Sequence, residues 1–415
     1  MKTKYFLPLL LFIIVNSSVF AQWTVNTSLA GGYYLLDAVH FLDKNVGFIG
    51  GIAPTAGDSS KIKKTTNGGT TWTNVATVKS GVRDITFINA NLGFAVGDGG
   101  LIAKTTNGGN TWSTQYYINP NTSHKEAFES VYFVDQNIGY IAGGFYEMWV
   151  LKTIDGGANW TPLTMPAYFQ RLKSIYFTSA TTGYVVGGDD TGGGIGRIYK
   201  TLDGGSTWDT LSSGIASNYF RDINFSDANN GVISCINNGI LLRTTNAGTT
   251  WTQVTNPTGT DQITEFSFAN STVGYASTLL GKVIKTTNGG STWTIDGTLS
   301  PMSAAYSISI PNINFGIVGG IYGMFGKMDT PIGIDDFAND NKLLIYPNPG
   351  NGNFNVDFKG KTASIEIYDM MGRKILKEDN LLNHYSINLS SYPKGIYSVK
   401  INIDGEMYDT KIIYQ

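Results

Sequence analysis

The chain runs to 415 residues with 29 basic and 31 acidic side chains, a balance that projects no field strong enough to select nucleic acid or an anionic membrane surface. Only 14% of residues are charged, below the usual quarter or so, while 51 glycines and frequent Thr, Val, Ile and Tyr favour an all-β protein. Cys235 is the only cysteine, which excludes an intramolecular disulfide; inside the apolar run Val232 to Ile236 it reads as a small buried hydrophobe.

At the start, Lys2 and Lys4 precede the apolar run Tyr5 to Val15, and Val19-Phe20-Ala21 suits cleavage before Gln22. Residues 1–21 read as a secretory signal peptide, because the run is too short to span a bilayer. No later stretch is long enough either, so a mature chain without a transmembrane segment is expected.

From there the chain repeats. Lys64-Thr65-Thr66-Asn67-Gly68-Gly69-Thr70-Thr71-Trp72 is the first of six copies of one motif, whose Trp residues (Trp72, Trp112, Trp160, Trp208, Trp251 and Trp293) stand 40 to 48 residues apart. A period of that size marks a propeller or solenoid, whose units are too small to bury their own apolar faces and must stack on neighbours. In each copy an Asn or Asp can accept nearby backbone N–H groups, a Gly supplies positive φ, and the Trp opens a strand: a hairpin turn with an apolar plug. The pairs completing these turns are Asn67 and Gly69, Asn107 and Gly109, Asp155 and Gly157, Asp203 and Gly205, Asn246 and Gly248, and Asn288 and Gly290. The pattern resembles the Asp-box, or BNR, repeat, although four copies carry Asn and the fifth has Ala247 for a Gly. That resemblance implies a structural turn remote from any active site.

A second signature precedes each box: a Phe followed six positions later by Gly, at Phe41/Gly47, Phe87/Gly93, Phe133/Gly139, Phe177/Gly183, Phe225/Gly231 and Phe268/Gly274. A seventh copy, Ile310/Gly316, has no box after it. Each unit reads as four short strands, and the seventh supplies only three. Trp23-Thr24-Val25, however, repeats the residues that follow a box, so residues 23–27 are expected to form the outer strand of blade seven. The expectation is a seven-bladed β-propeller over 22–328, closed by its own N-terminus. Among Asp-box propellers, sialidases have six blades and sortilin-type receptors ten; this chain looks most like the photosystem II assembly factor propellers.

If strands run in order from channel to rim, the inner strands begin on the face opposite the boxes. Asp37, Arg83, Glu129, Lys173, Arg221, Thr264 and Tyr306 would ring that mouth, with Asp84, Asp222 and Glu265 directly after three of them. Mixed polar residues around a concavity suit a ligand site, and equally a water-filled channel. The binding candidates are Asp37, Arg83, Asp84, Glu129, Lys173, Arg221, Asp222 and Glu265. Three longer loops share this face: 51–60, 188–196, and 115–127 with Tyr116, Tyr117 and His124. The Gly-rich stretch 189–194 lacks the Lys and helix of a phosphate loop and the spaced oxygen ligands of a calcium site.

Sialidases would imply a three-Arg clamp on a carboxylate, for which Arg83, Arg171 and Arg221 are the candidates. The Arg-Ile-Pro signature is absent; the nearest is Arg197-Ile198-Tyr199. Seven-bladed Asp-box glucanases pair two propellers across a cleft, and here there is one. His40 lies in a strand and His384 near the C-terminus, so no His triad is credible, and no metal cluster stands out. No catalytic residue, metal or cofactor is assigned.

Residues 329–342, rich in Asp and Asn, read as a linker. The segment 343–415 alternates about seven short strands with turns and is expected to form a small Ig-like β-sandwich. Tyr346-Pro347-Asn348-Pro349, Gly352-Asn353-Phe354, Ile367-Tyr368-Asp369-Met370-Met371-Gly372-Arg373, Pro393-Lys394-Gly395-Ile396-Tyr397 and the terminal Lys411-Ile412-Ile413-Tyr414-Gln415 resemble the type A sorting domain of the type IX (Por) secretion system of Bacteroidetes. The resemblance implies a translocon and a sortase-like peptidase as partners of 343–415, and passage through the periplasm to the surface or medium. The leading reading is a non-enzymatic exported propeller binding a protein or glycan at its channel mouth. A glycan hydrolase using Arg83, Arg221 and nearby carboxylates, and a passive surface component, are the alternatives.

Overall fold

The computed structural model describes residues 23–329 and 345–415, apart from 30–31, 56–57, 119–125, 145–148, 167–170, 189–194, 216–218, 237, 347, 349, 370–371 and 404–405. The expected signal peptide, nearly all of the expected linker, His124 and the Gly-rich stretch lie outside the described residues. The chain divides into two units, with the division between residues 330 and 331.

Each box closes on itself before it touches anything else. In the first, Gly69 N–H donates to Thr65 Oγ1 at 2.9 Å, that hydroxyl donates to Asn67 Oδ1 at 3.0 Å, and Thr71 N–H donates to the same Asn67 oxygen at 2.9 Å. Gly68 and Gly69 adopt φ of 65° and 82°, where a Cβ is strained. Asn and Asp serve equally, since Asn67 Nδ2 donates to Thr71 Oγ1 at 2.8 Å, whereas Asp203 Oδ2 accepts from Thr207 Oγ1 at 2.7 Å. The fifth box keeps the same bonds with Ala247 at φ 53°.

The Trp of each box stands edge-on to the Phe of its own blade, as Trp112 does to Phe87 at 5.8 Å and 89°. The Gly six residues later seats that ring: a Cβ on Gly93 would lie 2.7 Å from Phe87. Across the seam, Phe87 stacks on Phe48 at 4.3 Å, Phe133 on Phe94 at 4.1 Å, Phe177 on Tyr140 at 4.0 Å and Phe225 on Tyr184 at 4.5 Å. One aromatic ring therefore ties the two sequence signatures together and joins neighbouring blades. A third-strand cation adds a second tie: Lys64, Lys104 and Lys152 donate to the box carbonyls of Gly108, Gly156 and Gly204, each at 2.6 Å. Lys200 does the same to Ala247 at 2.7 Å, and Arg243 to Gly289 at 3.1 Å.

Among the described residues these units are seven four-stranded antiparallel sheets. Their inner strands, Leu35–Phe41, Val82–Phe87, Phe128–Phe133, Arg171–Phe177, Phe220–Phe225, Ile263–Phe268 and Ala305–Asn312, touch in one closed cycle, that of a seven-bladed β-propeller. In the seventh blade Ala305–Asn312, Phe315–Gly320 and Phe325–Asp329 are completed by Trp23–Asn26, with Trp23 opposite Met328 and Asn26 opposite Phe325. Trp23 takes the position of a box Trp, meeting Tyr275 at 6.3 Å and donating its Nε1 to Asp296 at 2.9 Å.

Among the described residues of 345–415 there is one antiparallel sheet of five strands: Ile345–Tyr346, Asn353–Tyr368, Gly395–Ile403 and Glu406–Tyr414 in that order, with Lys374–Asn388 also paired to the second. The count is five rather than about seven, partly because residues 353–368, which read as two short strands with a turn between them, run as one. Its pairing with Lys374–Asn388 jumps between Asp357 and Thr362, and only the second half pairs Gly395–Ile403. The sheet closes around a core that includes Phe354, Val356, Ile365, Ile367, Ile387, Val399 and Ile412.

Candidate functional site

The inner strands share a defect at their entrance. Pairing skips between Val82 and Asp84, Phe128 and Ser130, Leu172 and Ser174, Phe220 and Asp222, and Ile263 and Glu265. A bulge turns two consecutive side chains to one side, which strict alternation forbids. Arg83 and Asp84 thereby line the same space. The bulge needs close approach from the second strand, and at blade two that is Gly97: a Cβ there would lie 1.9 Å from Gly81 O.

The space is a cavity of about 220 Å³ lined by Leu35, Asp37, Arg83, Asp84, Glu129, Ser130, Lys173, Ser174, Arg221, Asp222, Thr264, Glu265 and Tyr306. All ten residues that the sequence places at the mouth are among them. Ser130 and Ser174 join them in the register of Asp84 and Asp222, where a small hydroxyl carries no signal in the sequence. Arg171 is not among the lining residues, so only two of the three guanidinium groups considered for a carboxylate clamp meet.

The residues form two tiers. In the upper one, Arg83 bridges Asp37 (Nη1 to Oδ2, 2.9 Å) and Asp98 (Nε to Oδ1, 3.0 Å), Lys173 Nζ meets Glu129 Oε1 at 2.5 Å, and Arg221 Nε donates to Thr264 O at 3.0 Å. In the lower tier the carboxylates are struts between blades. Asp84 Oδ2 accepts Val131 N–H at 2.8 Å, Asp222 Oδ2 accepts Phe266 N–H at 2.8 Å, and Glu265 Oε2 accepts Ile308 N–H at 2.7 Å. Ser174 Oγ donates to Asp222 Oδ1 at 2.7 Å.

Burial dominates the titration of these groups. It raises Asp84 to about 6 against the bonds from Val131 and Ile85, and raises Asp37 and Asp222 in the same sense. Glu265 is pushed well up by burial and by repulsion from Asp222 and Asp84. Glu129 differs: burial acts upward on it too, yet Lys173, Arg83 and Arg221 together outweigh burial and hold it below the usual range.

Around the mouth, exposed Tyr34, Ile118, Ile195, Leu280 and Tyr322 stand on inter-strand and inter-blade turns of the same face. The loop tyrosines considered earlier are otherwise engaged, Tyr117 against Phe128 and Trp149, and Tyr116 accepting Lys79 N–H at 3.0 Å. His40 is stacked on Phe87 and held at about 4 by burial, and buried Cys235 is pushed up to about 12. Neither reaches the cavity. Among the described residues no group of three or more His, Cys, Asp or Glu could hold a metal ion, and no helix is long and apolar enough to cross a membrane.

The sequence profile described as Photosynthesis system II assembly factor YCF48 matches residues 71–172 and 166–309, and that of the secretion system C-terminal sorting domain matches 344–415. No curated protein matches the sequence. Among solved structures, YCF48 bound to D1 peptide is 18% identical and covers 74% of this chain and 95% of its own, with a TM-score of 0.58. PorZ, a surface component of the type-IX secretion system of Porphyromonas gingivalis, is 12% identical over 91% of this chain and 59% of its own, with a TM-score of 0.56. The GH74 xyloglucanase of Xanthomonas campestris is 11% identical over 81% of this chain and 59% of its own, with a TM-score of 0.54. Identities this low carry the fold alone.

Proposed function

The chain belongs to the photosynthesis system II assembly factor YCF48 family, and on that premise we propose that it is a non-enzymatic propeller that binds a protein or glycan at its channel mouth after export through its sorting domain. A role at a photosystem is not carried over, since an exported chain does not meet one. What supports a binding role is the commitment of the mouth's charged groups: Arg83 and Lys173 neutralise Asp37, Asp98 and Glu129, while Asp84, Asp222 and Glu265 brace the next blade. Such groups form a fixed polar surface with spare hydrogen-bonding capacity, suited to recognition and poorly placed to move toward a reacting atom. Export is assigned to the type IX route, with its translocon and sortase as partners of residues 343–415 and the cell surface or medium as destination. The test is a glycan array and a pull-down with wild type and with an Arg83→Ala/Lys173→Ala variant. Ligand retained by the first and lost from the second is expected; equal retention by both rules the mouth out.

One observation favours a glycan hydrolase as the second reading: Asp84 at about 6 beside other upward-shifted acids could protonate a leaving group. Hydrolysis of fluorogenic glycosides that disappears in Asp84→Asn would promote it over binding alone.

A further inference from the structure

We infer that the ligand is a neutral glycan, one sugar ring entering the cavity and the next stacking on an aromatic platform made by Tyr34 and Tyr322. This rests on the channel-mouth reading and names its ligand class. Tyr34 precedes the first inner strand and Tyr322 lies in the turn between the second and third strands of blade seven, so the pair spans the seam where the ring closes. The two residues are 46% and 54% exposed, and their rings meet edge to face at 5.9 Å and 70°. Tyr322 N–H donates to Tyr34 O at 2.7 Å, which fixes one turn on the other. Tyr322 also sits at φ 57°, a conformation disfavoured for a bulky side chain, so the fold carries strain to keep this ring in water beside a cavity. Tyr306 connects the two regions: it lines the cavity and lies within electrostatic reach of Asp37 and Arg221 on one side and of Tyr34 and Tyr322 on the other.

The chemistry of the cavity selects against charge. A carboxylate or ammonium pairing with the Arg83 or Lys173 clusters would have to displace Asp37 or Asp98 from Arg83, or Glu129 from Lys173, leaving a partly buried charge without its partner, and Arg221, the remaining cation of the lining, already lies in the field of Asp37, Glu129, Asp222 and Glu265. A hydroxyl needs only a spare N–H or lone pair. Arg83 has five N–H groups and Lys173 three, and their bonds to carboxylates use three and one of them. The cavity, about 220 Å³, is smaller than the roughly 300–1,000 Å³ of pockets that enclose a drug-sized ligand, so it admits one ring while the chain continues over the lip. There the apolar C–H face of a second pyranose can cover a tyrosine ring and bury apolar area on both.

Calorimetric titration of the full chain with neutral oligosaccharides of glucose, galactose, mannose and N-acetylglucosamine, with a sialylated oligosaccharide, and with acidic and basic peptides tests this. A neutral oligosaccharide is expected to bind, about tenfold or more weakly to Tyr34→Ala and Tyr322→Gly. Glycine relieves the backbone at 322, so lost binding there is not lost folding, and Tyr34→Phe, which keeps the ring, should bind as wild type. Neutral binding indifferent to both tyrosine variants, or no neutral member binding at all, overturns the glycan inference. A charged ligand abolished by Arg83→Ala but untouched by the tyrosine variants overturns it while the channel-mouth reading stands. If Arg83→Ala weakens none of the ligands that bind, the channel-mouth reading itself falls.

Discussion

Aspartates of the propeller answer acid in opposite senses. Asp203, like Asp155, is held at about 2 in its box by a backbone N–H, from Thr207 and Asn159 respectively, whereas burial lifts Asp84 to about 6. A carboxyl depressed below its unfolded value of about 3.9 contributes stability that is present above that pH and lost as pH falls toward 2. One raised above it contributes stability that is complete below about pH 4 and lost as pH rises through 6. Asp37, Asp222 and Glu265 are raised with Asp84 and outnumber His40, which is held at about 4 and opposes them over the same interval, so the melting temperature should rise as pH drops from 7 to about 4 and fall on further acidification. Asp84→Asn should shrink the first limb, and Asp155→Asn with Asp203→Asn the second, since four natural boxes already use Asn. A wild-type profile flat between pH 7 and 4 would contradict the assignment.

At the scale of the strand, the bulges decide what the inner edge can present. The box turns were legible in the sequence because each is local: Thr65, Asn67, Gly69 and Thr71 satisfy one another within seven residues. The closing strand was legible because Trp23 repeats a box Trp. The mouth was legible as positions, since every copy counts four residues back from its Phe-type position, but the work of Asp84, Asp222 and Glu265 was not. Their bonds cross to N–H groups 43 to 47 residues away in sequence, Val131, Phe266 and Ile308, and no local pattern records that. The strand count of the C-terminal unit was less legible, because Lys359-Gly360-Lys361 reads as a turn while the backbone stays extended. Gly97→Ala tests the bulge directly. With a Cβ 1.9 Å from Gly81 O, one strand has to shift, at a cost of about 1–3 kcal/mol. Loss of ligand binding together with a lower denaturant midpoint is expected, and an unchanged midpoint would mean that the bulge tolerates a side chain.

Over the whole molecule, stability depends on a ring whose last joint is made by four residues near one end. Trp112 and Trp23 fill equivalent places, but Trp112 Nε1 has no hydrogen-bond partner among the described residues while Trp23 Nε1 satisfies the largely buried Asp296. Either Trp→Ala change removes a large side chain, about 3–5 kcal/mol. Trp23→Ala in addition leaves Asp296 without its donor and weakens the seventh blade, which is assembled from both ends of the propeller, so it should cost more and broaden the urea transition, while Trp112→Ala lowers the midpoint alone. The sorting unit has a corresponding joint. Asn348 Nδ2 donates to Lys411 O at 2.8 Å and its Oδ1 accepts Ile413 N–H at 2.9 Å, so Asn348 clips the strand Glu406–Tyr414 in place. Gly350 continues the contact, donating to Ile413 O at 2.9 Å and accepting Gln415 N–H at 3.0 Å. If the translocon reads this folded edge, Asn348→Ala should behave like deletion of 343–415: propeller accumulates in the periplasm and disappears from the medium and surface, although its own melting is unchanged. Fractionation followed by immunoblotting distinguishes the outcomes, and normal export of the deletion would remove the sorting role from this unit altogether.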